Sequence, residues 1–184
     1  MWTPRTYWLL IGFLMLAPAR GWADFTADQL LTDVREGKRD TVSSKIYSQG
    51  RKTRVEIQIP GRHSVRIARE DKSPPTVWTL FPEEHSYLEF HEKNKKQPEK
   101  DFLGIETLEG HLCNKYRVRL MGPEGPYSGL QWEAVDLDRT PIRQEYQKGS
   151  RIIVIELKNI QVRPLDASLF EIPPGYHKLE PLPR

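Results

Sequence analysis

Arg54-Val55-Glu56-Ile57-Gln58-Ile59-Pro60-Gly61-Arg62-His63-Ser64-Val65-Arg66-Ile67-Ala68-Arg69 is the stretch on which the fold turns. Val55, Ile57 and Ile59 alternate with Arg54, Glu56 and Gln58; Pro60-Gly61 turns the chain, and Val65 and Ile67 resume the alternation. Period two is the pattern of a half-buried strand, because successive side chains point to opposite faces. The turn is too short for a parallel return, so the two strands are expected to be antiparallel neighbours.

The same grammar extends in both directions. Ser43–Ser48 precedes a turn at Gln49-Gly50, and Lys72-Ser73-Pro74-Pro75 separates Arg69 from Thr76–Phe81. Pro82-Glu83-Glu84-His85 then turns the chain into Ser86–His91, which makes five expected strands in this half. Thr76–Phe81 is apolar on both faces, with Val77 and Phe81 on one side and Trp78 and Leu80 on the other. Further on, Leu112, Asn114, Tyr116, Val118 and Leu120 share a strand face, and Leu130, Trp132 and Ala134 alternate. Pro141–Gln147 and Arg151–Ile160 complete the meander, with Ile152–Ile155 reading as a strand buried from two sides. Thr26 and Gln29 have capping-box spacing and Leu30, Leu31 and Val34 form an apolar face, which predicts a helix over 27–36. Glu92–Asp101 carries charge and no apolar side chain but a Pro ring, so it reads as a solvated loop and a candidate gate. About nine strands with no βαβ spacing predict a mainly β, antiparallel sheet.

The totals are 28 Lys and Arg against 25 Asp and Glu in 184 residues, 38% apolar and 29% charged. They are not evenly spread. Arg5, the apolar run Trp8–Ala17, the break at Pro18 and the small residues Gly21 and Ala23 have the layout of a secretory signal over 1–23. Cleavage is expected between Ala23 and Asp24, since the run is well short of the roughly 20 residues a spanning helix needs. The remaining 24–184 is expected to be one periplasmic domain with no transmembrane segment, and its formal charge falls from +3 to +1. One cysteine, Cys113, excludes an intramolecular disulfide framework and a multi-cysteine zinc site, and leaves no Cys beside the leader for a lipid anchor. Basic residues are scattered among acids without an aromatic trio, so no nucleic-acid partner is expected.

The order of features after residue 23 resembles the LolA/LolB-like superfamily of periplasmic lipoprotein-sorting proteins, and most closely its uncharacterised outer-membrane lipoprotein-sorting-like branch. The likeness runs through the hairpins of Lys45–Ile59 and Val65–Phe90 and the stretch Gly104–Tyr116. It continues in Trp132-Glu133-Ala134 with Thr140-Pro141-Ile142-Arg143, and in the closing Asp166–Tyr176. It implies an incomplete antiparallel barrel with a small N-terminal helix and helical lid elements over an apolar cavity. It also implies a non-enzymatic carrier whose partner is a lipid or lipoprotein acyl chain. Relatives that act as stress sensors imply the other reading, an envelope protein partner bound through the sheet.

The residues themselves carry little catalytic signal. Ser43, Ser44 and Ser150 lack a nucleophile-elbow context, and no His-x-x-x-His pair occurs. His111 and Cys113 share a strand face and have the chemistry of a metal or thiolate pair, but a small apolar filler at Cys113 beside a turn histidine is the preferred reading. Neither a catalytic residue, a metal nor a cofactor is expected. Rigid aromatic and apolar side chains on strand faces are the candidates for a ligand-lining surface: Trp78, Leu80, Phe90, Trp132 and Tyr146.

Overall fold

The computed structural model describes residues 23–91, 98–122 and 125–180. They form one open sheet of twelve strands that is not closed into a barrel. In chain order these are β1 (Phe25–Arg35), β2 (Lys38–Gln49), β3 (Lys52–Ile59), β4 (Arg62–Arg69), β5 (Thr76–Phe81) and β6 (Ser86–His91). They continue as β7 (Glu99–Leu108), β8 (His111–Gly122), β9 (Gly125–Ala134), β10 (Thr140–Lys148), β11 (Arg151–Val162) and β12 (His177–Lys178). The order across the sheet is β12-β6-β5-β4-β3-β2-β1-β11-β10-β9-β8-β7. The hairpin pairings β2–β3, β3–β4, β4–β5 and β5–β6 are antiparallel, as are β7–β8, β8–β9, β9–β10 and β10–β11. β12 joins its neighbour β6 in parallel.

The alternating strands predicted on either side of residue 60 form where expected. Three readings are corrected. The segment 27–36, predicted as a helix, lies within strand β1 and its turn. The buried positions of β1 are Phe25, Thr26, Ala27, Gln29 and Asp33; Phe25, Ala27, Gln29 and Asp33 share one face at a period of two, but Gln29 and Asp33 are polar and hide the alternation. Their partners come from far along the chain: Ser44 Oγ donates to Gln29 Oε1 at 3.2 Å, and Arg151 donates to Asp33 at 3.0 and 2.8 Å. Glu36 and Gly37, both at positive φ, then make the tight turn into β2. Second, the loop predicted over Glu92–Asp101 ends earlier, because Glu99–Asp101 opens β7; positions 92–97 lie outside the described residues. Third, Ile152 is exposed while Ile153 and Ile155 are buried, so β11 alternates instead of being covered on both sides. The helical elements described are short 3₁₀ turns, at Pro82–Glu84, Val135–Leu137 and Ala167–Phe170. The signal segment 1–22 lies outside the described residues.

The chain divides into two compact units, one of residues 31–40 and 98–156, the other of 23–30, 41–91 and 157–180. In the second unit, directly opposed residues put Val65 and Leu80, Ile67 and Trp78, and Leu80 and Tyr87 on one sheet face. The C-terminal segment crosses that face. Phe170 is buried among Val65, Ile67, Trp78 and Leu80, and Leu165, Leu169, Ile172 and Tyr176 pack around it. Side chains of the sheet hold the crossing backbone: Gln49 Nε2 donates to the Leu165 carbonyl at 2.8 Å, Arg54 to Leu169 at 2.9 Å and Arg69 to Phe170 at 3.2 Å.

In the first unit, Val118, Tyr127, Tyr146, Ile153 and Ile155 form the core, with Leu31 and Tyr116 packed against it. Buried Asp33 receives both Arg151 and Arg35. Burial alone would raise its pKa, but the hydrogen bonds from the two arginines outweigh that and hold the carboxyl below its ordinary range. A depressed carboxylate contributes stability above its unfolded pKa and loses it as pH falls through the folded one. The wild-type urea midpoint should therefore fall as pH drops below about 4, and Asp33→Asn should be less stable at pH 7 with a shallower acid loss. An unchanged slope in Asp33→Asn would assign the acid sensitivity elsewhere.

Candidate functional site

The β7–β10 face that carries Tyr146 holds the arrangement most unlike ordinary packing. On β8, alternate residues Leu112, Asn114, Tyr116 and Val118 lie on this face. Cross-strand partners add Phe102 beside Tyr116, Ile105 beside Asn114, Thr107 beside Leu112 and Gln131 across from Gln144. The apolar members pass from buried to exposed. Val118 and Tyr146 are covered, whereas Phe102 and Ile105 are each 58% exposed and Leu112 is 52% exposed, at the end of the sheet where β7 has no outer neighbour among the described residues. Phe102 meets Tyr116 edge-on, with ring centroids 5.7 Å apart. A bulge between Phe102 and Gly104 interrupts the β7 ladder. Gly129 lies between Val118 and Tyr146 in the register, and a Cβ there would stand 1.9 Å from the Glu145 carbonyl oxygen, so only glycine lets β9 and β10 approach this closely.

Polar groups are buried on the same face. Lys100 Nζ, over the ring of Tyr116 at 5.7 Å, donates to Glu133 Oε1. Gln131 Nε2 donates to the same carboxylate oxygen at 2.6 Å, and Gln144 Nε2 donates to Gln131 Oε1 at 2.8 Å. The Tyr146 hydroxyl lies 3.4 Å from Gln131 Oε1. Burial raises the Tyr146 pKa far above its ordinary value, while a hydrogen bond with Gln144 and the Glu133 charge act as smaller effects of opposite sign. The tyrosine is therefore a neutral hydroxyl at any physiological pH.

The five residues singled out in the sequence do not gather at one place. Trp78 and Leu80 share the cluster closed by Phe170, and the Trp78 indole donates to Glu89 at 2.9 Å under Lys72, whose Nζ is 4.6 Å from the ring. Phe90 opposes Val77, on the other face of that part of the sheet, and is 46% exposed. Trp132 and Tyr146 both belong to the first unit, on opposite faces: Trp132 is directly opposed to Arg143, and Tyr146 alternates with it along β10. Trp132 lies beneath charged side chains, donating to Glu106 at 2.7 Å, with Lys115 Nζ 4.9 Å and Arg143 Cζ 5.5 Å from its ring. Hydrogen bonds from Lys115 and Trp132 keep Glu106 below its usual carboxylate range.

His111 and Cys113 also have separate duties. His111 Nδ1 is 2.8 Å from Asp136, and the Cys113 thiol, buried and so raised in pKa, donates to the His111 carbonyl at 3.4 Å. A thiol held protonated by burial is a poor nucleophile. Sequence reasoning missed Lys100, Gln131, Glu133 and Gln144: Lys100 falls in the stretch read as a solvated loop, Gln131 and Glu133 are the polar residues that alternate with Leu130, Trp132 and Ala134, and Gln144 is polar within Pro141–Gln147. The signal that could have found them is Gln144 at two residues from Tyr146, an amide on the same strand face as a core aromatic.

No family model matches the chain, and no curated protein matches it by sequence. Its backbone does have counterparts. An uncharacterised conserved protein from Thermus thermophilus is similar at 13% identity and a TM-score of 0.55, covering 85% of this chain and 90% of that one. That likeness is one of fold. Similar structures include a LolA superfamily protein. This is NE2245 from Nitrosomonas europaea, at 12% identity and a TM-score of 0.47, covering 83% of this chain and 91% of its own. The lipoprotein LppX of Mycobacterium tuberculosis is similar at 11% identity and a TM-score of 0.39, covering 77% and 88%. Among the described residues no helix is long and apolar enough to cross a membrane.

Proposed function

We propose that the protein is an exported, non-enzymatic lipid-binding protein that holds an acyl chain against the Tyr146 face of β7–β10. The observation that carries this reading is the set of apolar side chains on one sheet face, from buried Tyr146 and Val118 through Tyr116 to exposed Phe102, Ile105 and Leu112. Covering a methylene is worth about 0.8 kcal/mol, so a chain of a dozen methylenes laid along such a face gains enough to offset its loss of freedom. A buried, neutral tyrosine and amides supply orientation, and the two charges on that face, Lys100 and Glu133, are paired with each other. The sequence resemblance to lipoprotein-sorting proteins points the same way. Of the five residues read from the sequence, Tyr146 is the one this proposal places against the ligand; Phe90 is exposed in its own unit, and Trp78, Leu80 and Trp132 serve packing.

Native mass spectrometry of protein purified from the compartment to which it is exported tests the reading. It should show a population heavier by one lipid, removed by organic extraction and restored by adding a long-chain lipid. Protein that carries no lipid and takes up none would refute it.

A further inference from the structure

The buried polar string on the Tyr146 face has a direction, and it ends on an unmet atom. An ionised carboxylate only accepts hydrogen bonds. Glu133, receiving Lys100, therefore fixes Gln131 with its amide nitrogen toward the acid and its oxygen toward Gln144. That oxygen in turn fixes Gln144, whose nitrogen donates to it at 2.8 Å. Rotating either amide by half a turn would set two oxygens or two nitrogens against each other, so the orientation is settled by chemistry. Gln144 Oε1 is what remains. Its residue is 1% exposed, and the oxygen has no hydrogen-bond partner among the described residues. A buried carbonyl without a donor costs free energy, and buried acceptors of this kind are nearly always met.

We infer that Gln144 Oε1 receives a neutral hydrogen-bond donor, a hydroxyl or an amide N–H, on the head of the lipid whose chain lies against the Tyr146 face. The inference rests on the lipid-binding reading above and narrows it to a ligand class. The atom that waits is an acceptor, so a free carboxylate or a phosphate diester presents it with oxygen and no proton. The cation beside these amides, Lys100, is already committed to Glu133, and Arg151 to Asp33. An anionic head placed here would be desolvated without a partner. A monoacylglycerol or a primary fatty amide brings a donor and no charge.

The test compares lipids of one chain length, 1-palmitoylglycerol, palmitamide and palmitate, at pH 8 and below their aggregation concentrations, by competition against a fluorescent acyl probe. Wild-type protein should bind both neutral donors at least tenfold more tightly than palmitate, the discrimination that one unmet buried acceptor exerts. The two neutral arms separate hydroxyl from amide recognition, and tighter binding of either one alone satisfies the inference. In Gln144→Met, which keeps the length of the side chain and removes the acceptor, the preference should shrink to within about threefold. The wild-type ranking stands whether or not that variant folds. Palmitate binding as tightly as the neutral lipids, or a preference unchanged in folded Gln144→Met, overturns the inference while leaving lipid binding intact. A crystal structure of the palmitoylglycerol complex with a water on Gln144 Oε1 in place of the head group overturns it too. Failure of all three lipids to displace the probe overturns the lipid-binding reading together with it.

Discussion

Phe170→Ala will cost about 3–5 kcal/mol of stability, the range for emptying a buried phenylalanine site. Phe170 is fully buried against Val65, Ile67, Trp78 and Leu80, and its neighbours Leu165, Leu169, Ile172 and Tyr176 surround the same cluster. With total stabilities of about 5–15 kcal/mol for domains, this is a large share. The loss should also be local before it is global. Residues 163–176 have little regular structure of their own, and are held by this ring and by donors from Gln49, Arg54 and Arg69. Limited proteolysis of Phe170→Ala should therefore cut within 163–176 at protease levels that leave the wild type whole, and the urea midpoint should drop. Arg69→Ala should move in the same direction, because it removes the Phe170 carbonyl contact, leaves Asp71 and Glu171 without their partner, and takes a cation from over Trp78. A Phe170→Ala midpoint within about 1 kcal/mol of wild type would show that the crossing segment does not close this core.

The second large effect belongs to the ligand. Phe102→Glu combined with Ile105→Glu should weaken uptake of a fluorescent acyl probe by at least about thirtyfold, or about 2 kcal/mol, with little change in thermal stability. Both side chains are more than half exposed, so their substitution opens no cavity. Both lie on the face that carries Tyr116 and Val118, so two carboxylates there would have to be desolvated by an arriving chain. Probe binding unchanged in the folded double variant would remove the exposed end of the face from the site.

The sheet was legible wherever one face is apolar and the other charged. Val55, Ile57, Val65 and Ile67 alternate cleanly, and β2–β6 and β8–β11 fall where those alternations predict them. The reading failed where burial falls on polar residues. Gln29 and Asp33 hold inward positions of β1 because Ser44 and Arg151 satisfy them, and a local scan that counts hydrophobes saw instead an apolar helical face at Leu30, Leu31 and Val34. β7 was hidden for a different reason: its first residues, Glu99-Lys100-Asp101, continue a charged run, and an edge strand has only one neighbour to impose a pattern. The same two effects obscured the site. Trp132 looked like a lining residue because it is large and aromatic, yet Lys115 and Arg143 lie over it, with their cationic groups facing its ring. Gln131 and Glu133, which looked like its solvated neighbours, point to the buried side. Tyr146 was singled out as a rigid aromatic on a strand face; the amides beside it were not, since a hydrogen-bonded string leaves no trace in hydropathy.

The claim on which everything else depends is that an acyl chain lies against the Tyr146 face and not elsewhere on the sheet. Photolabelling with a palmitoyl chain that carries a diazirine, followed by peptide mass spectrometry, measures this directly. The expected adducts fall on β7–β10, at Phe102, Tyr116, Tyr127 and Tyr146, and disappear with excess unlabelled 1-palmitoylglycerol. Competed adducts confined to the Trp78 and Phe170 cluster, or adducts spread over the surface and indifferent to competitor, would contradict it.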